Sequence, residues 1–531
     1  MKKHIVLMFL ALILITSCKK DFFKLERPPE SPWNNIDEFD RAPRGVYSLL
    51  FAAGDWGNVF NWWYLYKNAV GDDAAWSTPG DDAWGWYRDT QNNKDWLDGM
   101  FGTTYQAIAS INDALQFVDD HAGQPFPGLS DDDKKYNLDR IVGELYFLRG
   151  FAYYMDATTF MDAYVPGGPN DSKQIPLRIE PSSSYSVAAN SKIGTVQEIW
   201  DQIISDFQKA HELLPERYIA GKTYAAYQAG RANKFAAAAM LCRSYFALGD
   251  YSKAKEYASE VIDKNGGDYD LSEDPIEAFN KSTLARGKET IMYIPCYDHV
   301  VGRQNLHASC FSNLFNGAPC DWTAIYLDLT VVKRLGWMTD PKNDTTINLE
   351  AWKDKRFSQL MFVREPANVP ESKRVPGRYY DKRVNMEWRS ILCNKYYRGA
   401  DGNYGNYTNV PQIRLAEMYL TRSICSFLAG DKEAAATDLN VVRKRAWDAG
   451  VAGVSYEASS HYVTSANITE QMINDERLVE MFCDGDRIDY LRGLKVDVPN
   501  GDRAPGSVHY TDKGFVWPVP VNEQKLNDGY H

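Results

Sequence analysis

Apolar positions recur at helical spacing over much of the chain. Residues 36–51, 96–118, 136–160 and 195–214 each set hydrophobic side chains three or four apart, the spacing that lines one face of an α-helix. In the second of these, Trp96, Tyr105, Ile108, Ile111 and Leu115 stand at helical spacings. The third contains GELYFLRGFAYYMDATTF and is apolar on most of its circumference, which predicts a helix buried all round. The fourth starts at Thr195, carries Val196, Ile199, Ile203, Ile204 and Phe207 on one face, and stops at Leu213-Leu214-Pro215.

Two further stretches read as helix–turn–helix. Ala232–Leu248, Gly249-Asp250 and Tyr251–Lys264 form one; Arg414–Ala429, Gly430-Asp431 and Lys432–Trp447 form the other. Glycine ends the first helix by accepting positive φ, and aspartate caps the second. Ala254 and Ala435 each follow their glycine by five residues, where a small side chain lets two helices approach closely. Such units bury their apolar faces only by stacking on neighbours, as tetratricopeptide repeats do. Two clear copies are too few for a stack, so either the four weaker helices complete it or the pairs are ordinary helical hairpins. The expected fold is mainly α, a tetratricopeptide-like hairpin scaffold with a large, irregular, loop-rich insertion.

Residues 266–410 are that insertion. Prolines at 275, 295, 319, 341, 366, 370 and 376, several glycines and short β-like runs such as ETIMYIP break the helical rhythm. The expected organisation is a leader at 1–17, a tether at 18–35, a helical scaffold at 36–265, the irregular region at 266–410 and a closing helical segment at 411–531.

The stretch from Asp55 to Trp96 holds seven of the fifteen tryptophans: Trp56, Trp62, Trp63, Trp76, Trp84, Trp86 and Trp96. Its middle, GDDAAWSTPGDDAWGW, has turn chemistry at Pro79-Gly80 and Gly85 and no sustained period. Rings on such a segment suit either a packed tryptophan-rich subdomain or a surface for a polar ligand with apolar faces. Trp56, Trp62, Trp63 and Trp96 flank or sit on apolar helical runs and are assigned to the core. The part from Asp72 to Arg88 is left for ligand. The irregular region carries a second set of rings, including Tyr297 and Trp322.

The N-terminus sets the address. Met1-Lys2-Lys3-His4 precedes an eleven-residue apolar run, Ile5–Ile15, too short to cross a bilayer of ~30 Å. Leu14-Ile15-Thr16-Ser17-Cys18 then matches the pattern cut by the lipoprotein signal peptidase, which leaves Cys18 lipidated at the new N-terminus. The net charge of −12 becomes more negative once the two leader lysines are gone, which argues against nucleic acid as a partner. Seven other cysteines show no CxxC pair. Cys242 and Cys425, on apolar helical faces, are expected to be reduced core residues; a Cys310–Cys320 disulfide is left open.

Catalytic signatures are missing: HExxH, GxSxG and GxxxxGK[ST] do not occur. A glycosidase needs only two carboxylates about 5–10 Å apart, so a secreted hydrolase stays open as an alternative. Asp484-Gly485-Asp486 resembles part of a calcium loop but lacks its later ligands and terminal glutamate. Glu476, Glu480 and Asp484, spaced by four, with Arg477, Arg487 and Arg492 nearby, read instead as a structural ion network. No metal and no cofactor are expected.

Taken together, these elements resemble the SusD/RagB family. The resemblance is carried in order by the lipobox cysteine and by the element Trp96, Tyr105, Ile108, Asn112. It continues through GELYFLRGFAYYMDATTF, AMLCRSYFALGDYSKAKEYASEVI, RLAEMYLTRSICSFLAGD, NDERLVEMFCDGDRIDYLRG and VWPVPVNEQKLNDGY. It departs from the family pattern where Asp489 and Tyr490 stand in exchanged order and where Asp528 replaces the usual proline. The resemblance implies a lipoprotein of the outer-membrane surface, anchored through Cys18, that binds nutrient oligomers, glycans most often and peptides in some members. It also implies a SusC-like TonB-dependent barrel as partner, and no catalysis. A sugar offers an apolar face for Trp or Tyr to stack on and a hydroxyl rim for Asp and Arg to bond. The resulting ligand candidates are Trp76, Trp84, Trp86 and Trp322 for stacking, Tyr87 and Tyr297 behind them, and Asp82 and Arg88 for hydroxyls. A pure protein–protein scaffold is the remaining alternative.

Overall fold

The computed structural model describes residues 33–51, 59–76, 98–181, 190–219, 221–222, 230–279, 281, 285–295, 325–341, 346–366, 370, 372, 378–381, 390–396, 409–502 and 504–531. Helices α1 (Ile36–Phe39), α2 (Arg41–Phe51) and α3 (Val59–Val70) lead to strand β1 (Ala74–Trp76) and helices α4 (Asp98–Asp120) and α5 (Asp139–Phe160). Strands β2 (Lys173–Pro176) and β3 (Ile193–Thr195) precede α6 (Val196–Leu213), α7 (Lys234–Leu248) and α8 (Tyr251–Asp263). The single helix expected at 36–51 is two. Pro43 has no N–H to donate to Phe39, and the chain breaks at Asp40, whose carboxylate accepts from Arg140 at 2.8 Å.

The helices form one stack. Neighbours pack in the order α2, α4, α5, α6, α7, α8, and α8 then packs directly on α12 (Leu415–Leu428), which packs on α13 (Lys432–Ala446). The stack thus passes from residue 263 to residue 415, and everything between is an excursion from it. This mainly α, tetratricopeptide-like arrangement with an irregular insertion is the architecture the hairpins predict. Gly249 and Gly430 sit at φ 81° and 84°, a left-handed conformation that costs little without a Cβ. Asp250 and Asp431 accept from the amides of Lys253 and Ala434 at 3.0 and 3.1 Å. Ala254 and Ala435 are fully buried. Thr195 caps α6 in a reciprocal box with Glu198.

The excursion contains β4 (Thr290–Ile294), β5 (Ile325–Leu327), α9 (Leu329–Arg334), α10 (Leu349–Trp352), α11 (Lys355–Leu360), β6 (Met361–Pro366), β7 (Arg378–Asp381), β8 (Ser390–Cys393) and β9 (Val410–Arg414). β9 pairs with β4, Arg414 opposite Thr290, so the excursion closes where it began. β1, β5, β8, β6 and β7 form a five-stranded sheet in that order. Beyond α13 lie α14 (Ala449–Ala452), α15 (Glu470–Glu480), packed on α12, and α16 (Arg487–Leu494), packed on α7.

A buried ion network fastens the excursion to the stack. Glu480 accepts from Arg414, Arg445 and Arg356 at 2.7, 2.5 and 3.1 Å, from β9, α13 and α11 respectively. Arg414 also reaches Glu289 and Asp484, at 2.8 and 2.6 Å. Burial would raise the Glu480 carboxyl, but Arg445, Arg414 and Arg356 together outweigh it and hold it well below the usual range. The network expected at 476–484 is present, though its cations differ from those expected. Arg477 pairs with Asp486 and Arg487 with Asp72, while Arg492 donates to the carbonyls of Tyr510 and Met161.

Candidate functional site

The segments proposed to hold ligand attach at one end of the five-stranded sheet. β1 and β5 run antiparallel with Trp76 opposite Ile325, so the chain leaves β1 towards residues 77–97 beside the point where residues 296–324 enter β5. β8 pairs antiparallel with β5, Tyr326 opposite Leu392, so the exit from Cys393 towards residues 397–408 lies at the same end. Trp322 is three residues from Ile325, a tether that reaches no more than about 11 Å.

Long-range contacts root these strands in the stack, those of Asp72, Asp73 and Asp328 at the opposite end of β1 and β5 and those of Lys395 and Tyr396 just beyond β8. Asp72 and Asp73, just before β1, are buried, and Arg487 of α16 donates to both Asp72 oxygens at 2.5 and 3.0 Å. Burial would raise the Asp72 carboxyl, but the Arg487 guanidinium outweighs it and holds it below the ordinary range. The Asp73 carbonyl accepts from the amide of Asp328 at 2.9 Å, which ties β1 to the start of α9. On the β8 side, Lys395 reaches the Glu480 carbonyl at 2.9 Å and Asp484 at 3.1 Å. The hydroxyls of Tyr396 and Tyr64 meet at 2.7 Å, and both lie within hydrogen-bond distance of the Cys483 carbonyl, at 3.1 and 2.8 Å.

α3 stands behind this root. Trp63, Tyr64, Tyr66, Lys67 and Asn68 are all buried. Lys67 donates to Thr158 at 2.9 Å and pairs with Asp489; burial, partly offset by Asp489, pulls its ammonium down to about 8. The exchange of Asp489 and Tyr490 therefore falls on residues that pack against the rest of the fold. Asp489 faces Lys67, while the Tyr490 ring lies 5.6 Å from Phe246 and beneath Arg477.

Of the eight ligand candidates, Trp76 has its backbone on β1; its side chain and all of Asp82, Trp84, Trp86, Tyr87, Arg88, Tyr297 and Trp322 lie outside the described residues. So do Cys18, Trp56, Trp96, Cys310, Cys320 and the side chain of Trp62. One expectation is corrected: the ligand stretch does not begin at Asp72. Asp72 and Asp73 are scaffold, and the part left for ligand starts no earlier than β1. The same sheet end adds residues 397–408, with Tyr397, Tyr404 and Tyr407, whose signal is again aromatic rings among glycines and asparagines. Cys242 and Cys425 are free, buried thiols, as their apolar faces imply. Asp484 and Asp486, read briefly as calcium ligands, are held by Arg414, Lys395 and Arg477. Among the described residues, no group of three or more His, Cys, Asp or Glu is arranged to hold a metal ion.

A helical stack that carries a small sheet, with long aromatic segments attached at one sheet end, defines a display scaffold: a frame for a surface. Comparison with known proteins gives that class a family. A model described as starch-binding, associating with outer membrane, matches residues 59–246, and a SusD family model matches residues 313–529. The two span most of the chain. A SusD-like protein P2 of Formosa agariphila is 25% identical over 560 residues, covering 99% of this chain and 98% of that one. The fold is that of a SusD superfamily protein from Bacteroides thetaiotaomicron, with TM-score 0.70, 21% identity and coverage of 93% and 98%. It is also that of surface glycan-binding protein A from Bacteroides uniformis, with TM-score 0.65, 18% identity and coverage of 93% and 98%. The chain belongs to the SusD/RagB family, a class of outer-membrane-associated binding proteins.

Proposed function

We propose that this protein captures nutrient oligomers at the cell surface, binding glycan without cutting it, and passes them to a TonB-dependent outer-membrane barrel. The observation that carries this reading is the β1–β5 register, which sets the attachment points of the two tryptophan-bearing segments side by side. Trp76, Trp84, Trp86 and Trp322 stack on sugar faces, Tyr87 and Tyr297 back them, and Asp82 and Arg88 bond hydroxyls. Rings suit this work because they offer wide apolar area at small entropic cost. Family membership and the name of the Bacteroides uniformis relative support a glycan cargo. Lipidation at Cys18 supplies the anchor; no helix among the described residues is long and apolar enough to cross a membrane.

A glycan and peptide array probed with the soluble mature chain tests the reading. The expected result is retention of one class of oligosaccharide, with its chain length unchanged when the bound fraction is analysed. Trp84→Ala and Trp322→Ala are expected to weaken that binding by about 1–3 kcal/mol, roughly ten- to a hundred-fold, with unaltered melting. Capture of peptides alone would replace the cargo, shortened glycans would make the protein a hydrolase, and normal binding by both variants would remove the site.

A further inference from the structure

A second cleft lies away from the sheet end, between the α10–α11 segment and the helices α13 and α15. It holds about 190 Å³ and is lined by Trp337, Glu350, Arg443, Trp447, His461 and Glu476, among others. We propose that it is a separate binding site for one ring of a neutral saccharide.

The walls are held together by backbone. Asp354 and Trp447 pair as an isolated β-bridge, and the Asp448 amide donates to the Lys353 carbonyl at 2.8 Å. Trp447 is half-buried, and its indole N–H is engaged by the Val454 carbonyl at 3.0 Å. What the indole offers the cleft is therefore ring surface rather than its donor. The His461 ring stands 5.0 Å from it, and the Tyr456 ring 6.0 Å. Such a surface takes the apolar C–H face of a sugar.

Charge chooses the ligand class. Glu476, only 6% exposed, forms an ion pair with Arg356 at 2.6 Å and accepts from Arg443 at 3.0 Å. Glu350 sits between His461 at 2.6 Å and Lys353 at 2.8 Å. Asp354 pairs with Arg356, and Asp475 with Arg334. Each carboxylate facing the cleft is matched by a cation or an imidazole, so the cleft has no uncompensated charge to attract an ion. Carboxylates and guanidiniums nonetheless keep lone pairs and N–H groups beyond those their partners use, and a ring of hydroxyls is the neutral group that both accepts and donates. Burial, against the opposing pull of Glu350, brings the His461 imidazole below its ordinary range, so the balance persists at neutral pH. The volume is below the roughly 300–1,000 Å³ of drug-sized sites, which fits one ring. Two exposed rings adjoin lining residues in sequence: Trp352, next to Lys353, and Tyr462, next to His461. They can hold further units of a longer chain. This site draws on none of the residues assigned at the sheet end.

The test is ¹⁹F NMR of the mature chain labelled with 5-fluorotryptophan, with Trp447→Phe identifying the Trp447 signal. Glucose, galactose, mannose, xylose and fucose are titrated singly, with glucuronate as the charged comparator. At least one neutral sugar is expected to shift the Trp447 signal saturably. Arg443→Met is expected to weaken that response at least ten-fold, and the exposed Tyr462→Ala to weaken an oligomer's response without lowering the melting temperature. The response is expected to persist in Trp322→Ala, which separates this cleft from the sheet-end site. An unmoved signal, a response to glucuronate alone, or loss of the response in Trp322→Ala would each overturn the proposal.

Discussion

The helical stack and the five-stranded sheet stay in place by opposite means. Helices of the stack bury long apolar faces on sequence neighbours, and their ends are closed by local signals such as Gly249-Asp250 and Gly430-Asp431. The sheet has strands of only three to six residues, at or below the usual length of ~5–6. It draws its rigidity from elsewhere: Asp72 on Arg487, Lys395 on Asp484, and Tyr396 on Tyr64. So small a sheet keeps its place because its fixing points belong to the frame behind it.

The largest expected effect comes from cutting the fastening between the two regions. Glu480→Gln leaves Arg414, Arg445 and Arg356 short of their shared carboxylate. Loss of one partner from a buried ion group costs about 3–5 kcal/mol, which the urea midpoint at neutral pH will show. Because the Glu480 carboxyl is held well below its ordinary 4.5, its contribution is present above that pH and disappears as pH falls through the folded value. The deficit of the variant should therefore shrink in acid. A loss under about 1 kcal/mol at neutral pH, in the range of an exposed pair, would mean that the excursion holds itself in place.

A smaller effect tests the stack alone. Gly249→Ala and Gly430→Ala both force a Cβ into the left-handed region, at about 1–2 kcal/mol each. At Gly249 the new atom would also meet Pro166 Cγ at 2.9 Å, whereas at Gly430 nothing lies within 4 Å. Gly249→Ala should lower the melting temperature further; equal losses would place the whole cost in the turn. The smallest effect tests the sheet. Tyr396→Phe removes the hydroxyl that meets Tyr64 and Cys483, worth about 0.5–1.5 kcal/mol. Hydrogen exchange of the β8 amides should quicken while that of α7 stays unchanged. Equal acceleration in both would show that sheet and stack open as one unit.

What the sequence makes legible follows the same divide. The hairpins could be read because a helix with one buried face repeats its apolar residues, and because their turns are chemically distinct. The bounds of α3 are not legible, since VFNWWYLYKNAV is covered on many sides and shows no period; even Lys67 and Asn68 are buried. The core role of Trp63 is nevertheless evident from its apolar setting. Strands as short as β1 and β5 carry no alternation to find. Asp72 looked like one more acid in a ligand stretch because its partner lies 415 residues away, beyond any local pattern. Likewise, the acids of the Glu480 network could be seen by their spacing, but Arg356, Arg414 and Arg445 meet them only in the folded chain. Of the proposed site, the residue types and the two segments could be named from sequence; that those segments spring from one sheet end required the strand register.

The pairing of β4 with β9 has an evolutionary consequence. It brings both ends of the excursion to adjacent points where α8 already meets α12. A segment clamped at its base can be lengthened, shortened or exchanged without changing how the helices register. The entropic cost of a longer loop grows only logarithmically, about 0.6 kcal/mol for each doubling. Changes of length between residues 294 and 410 can thus accumulate while the stack is inherited almost intact.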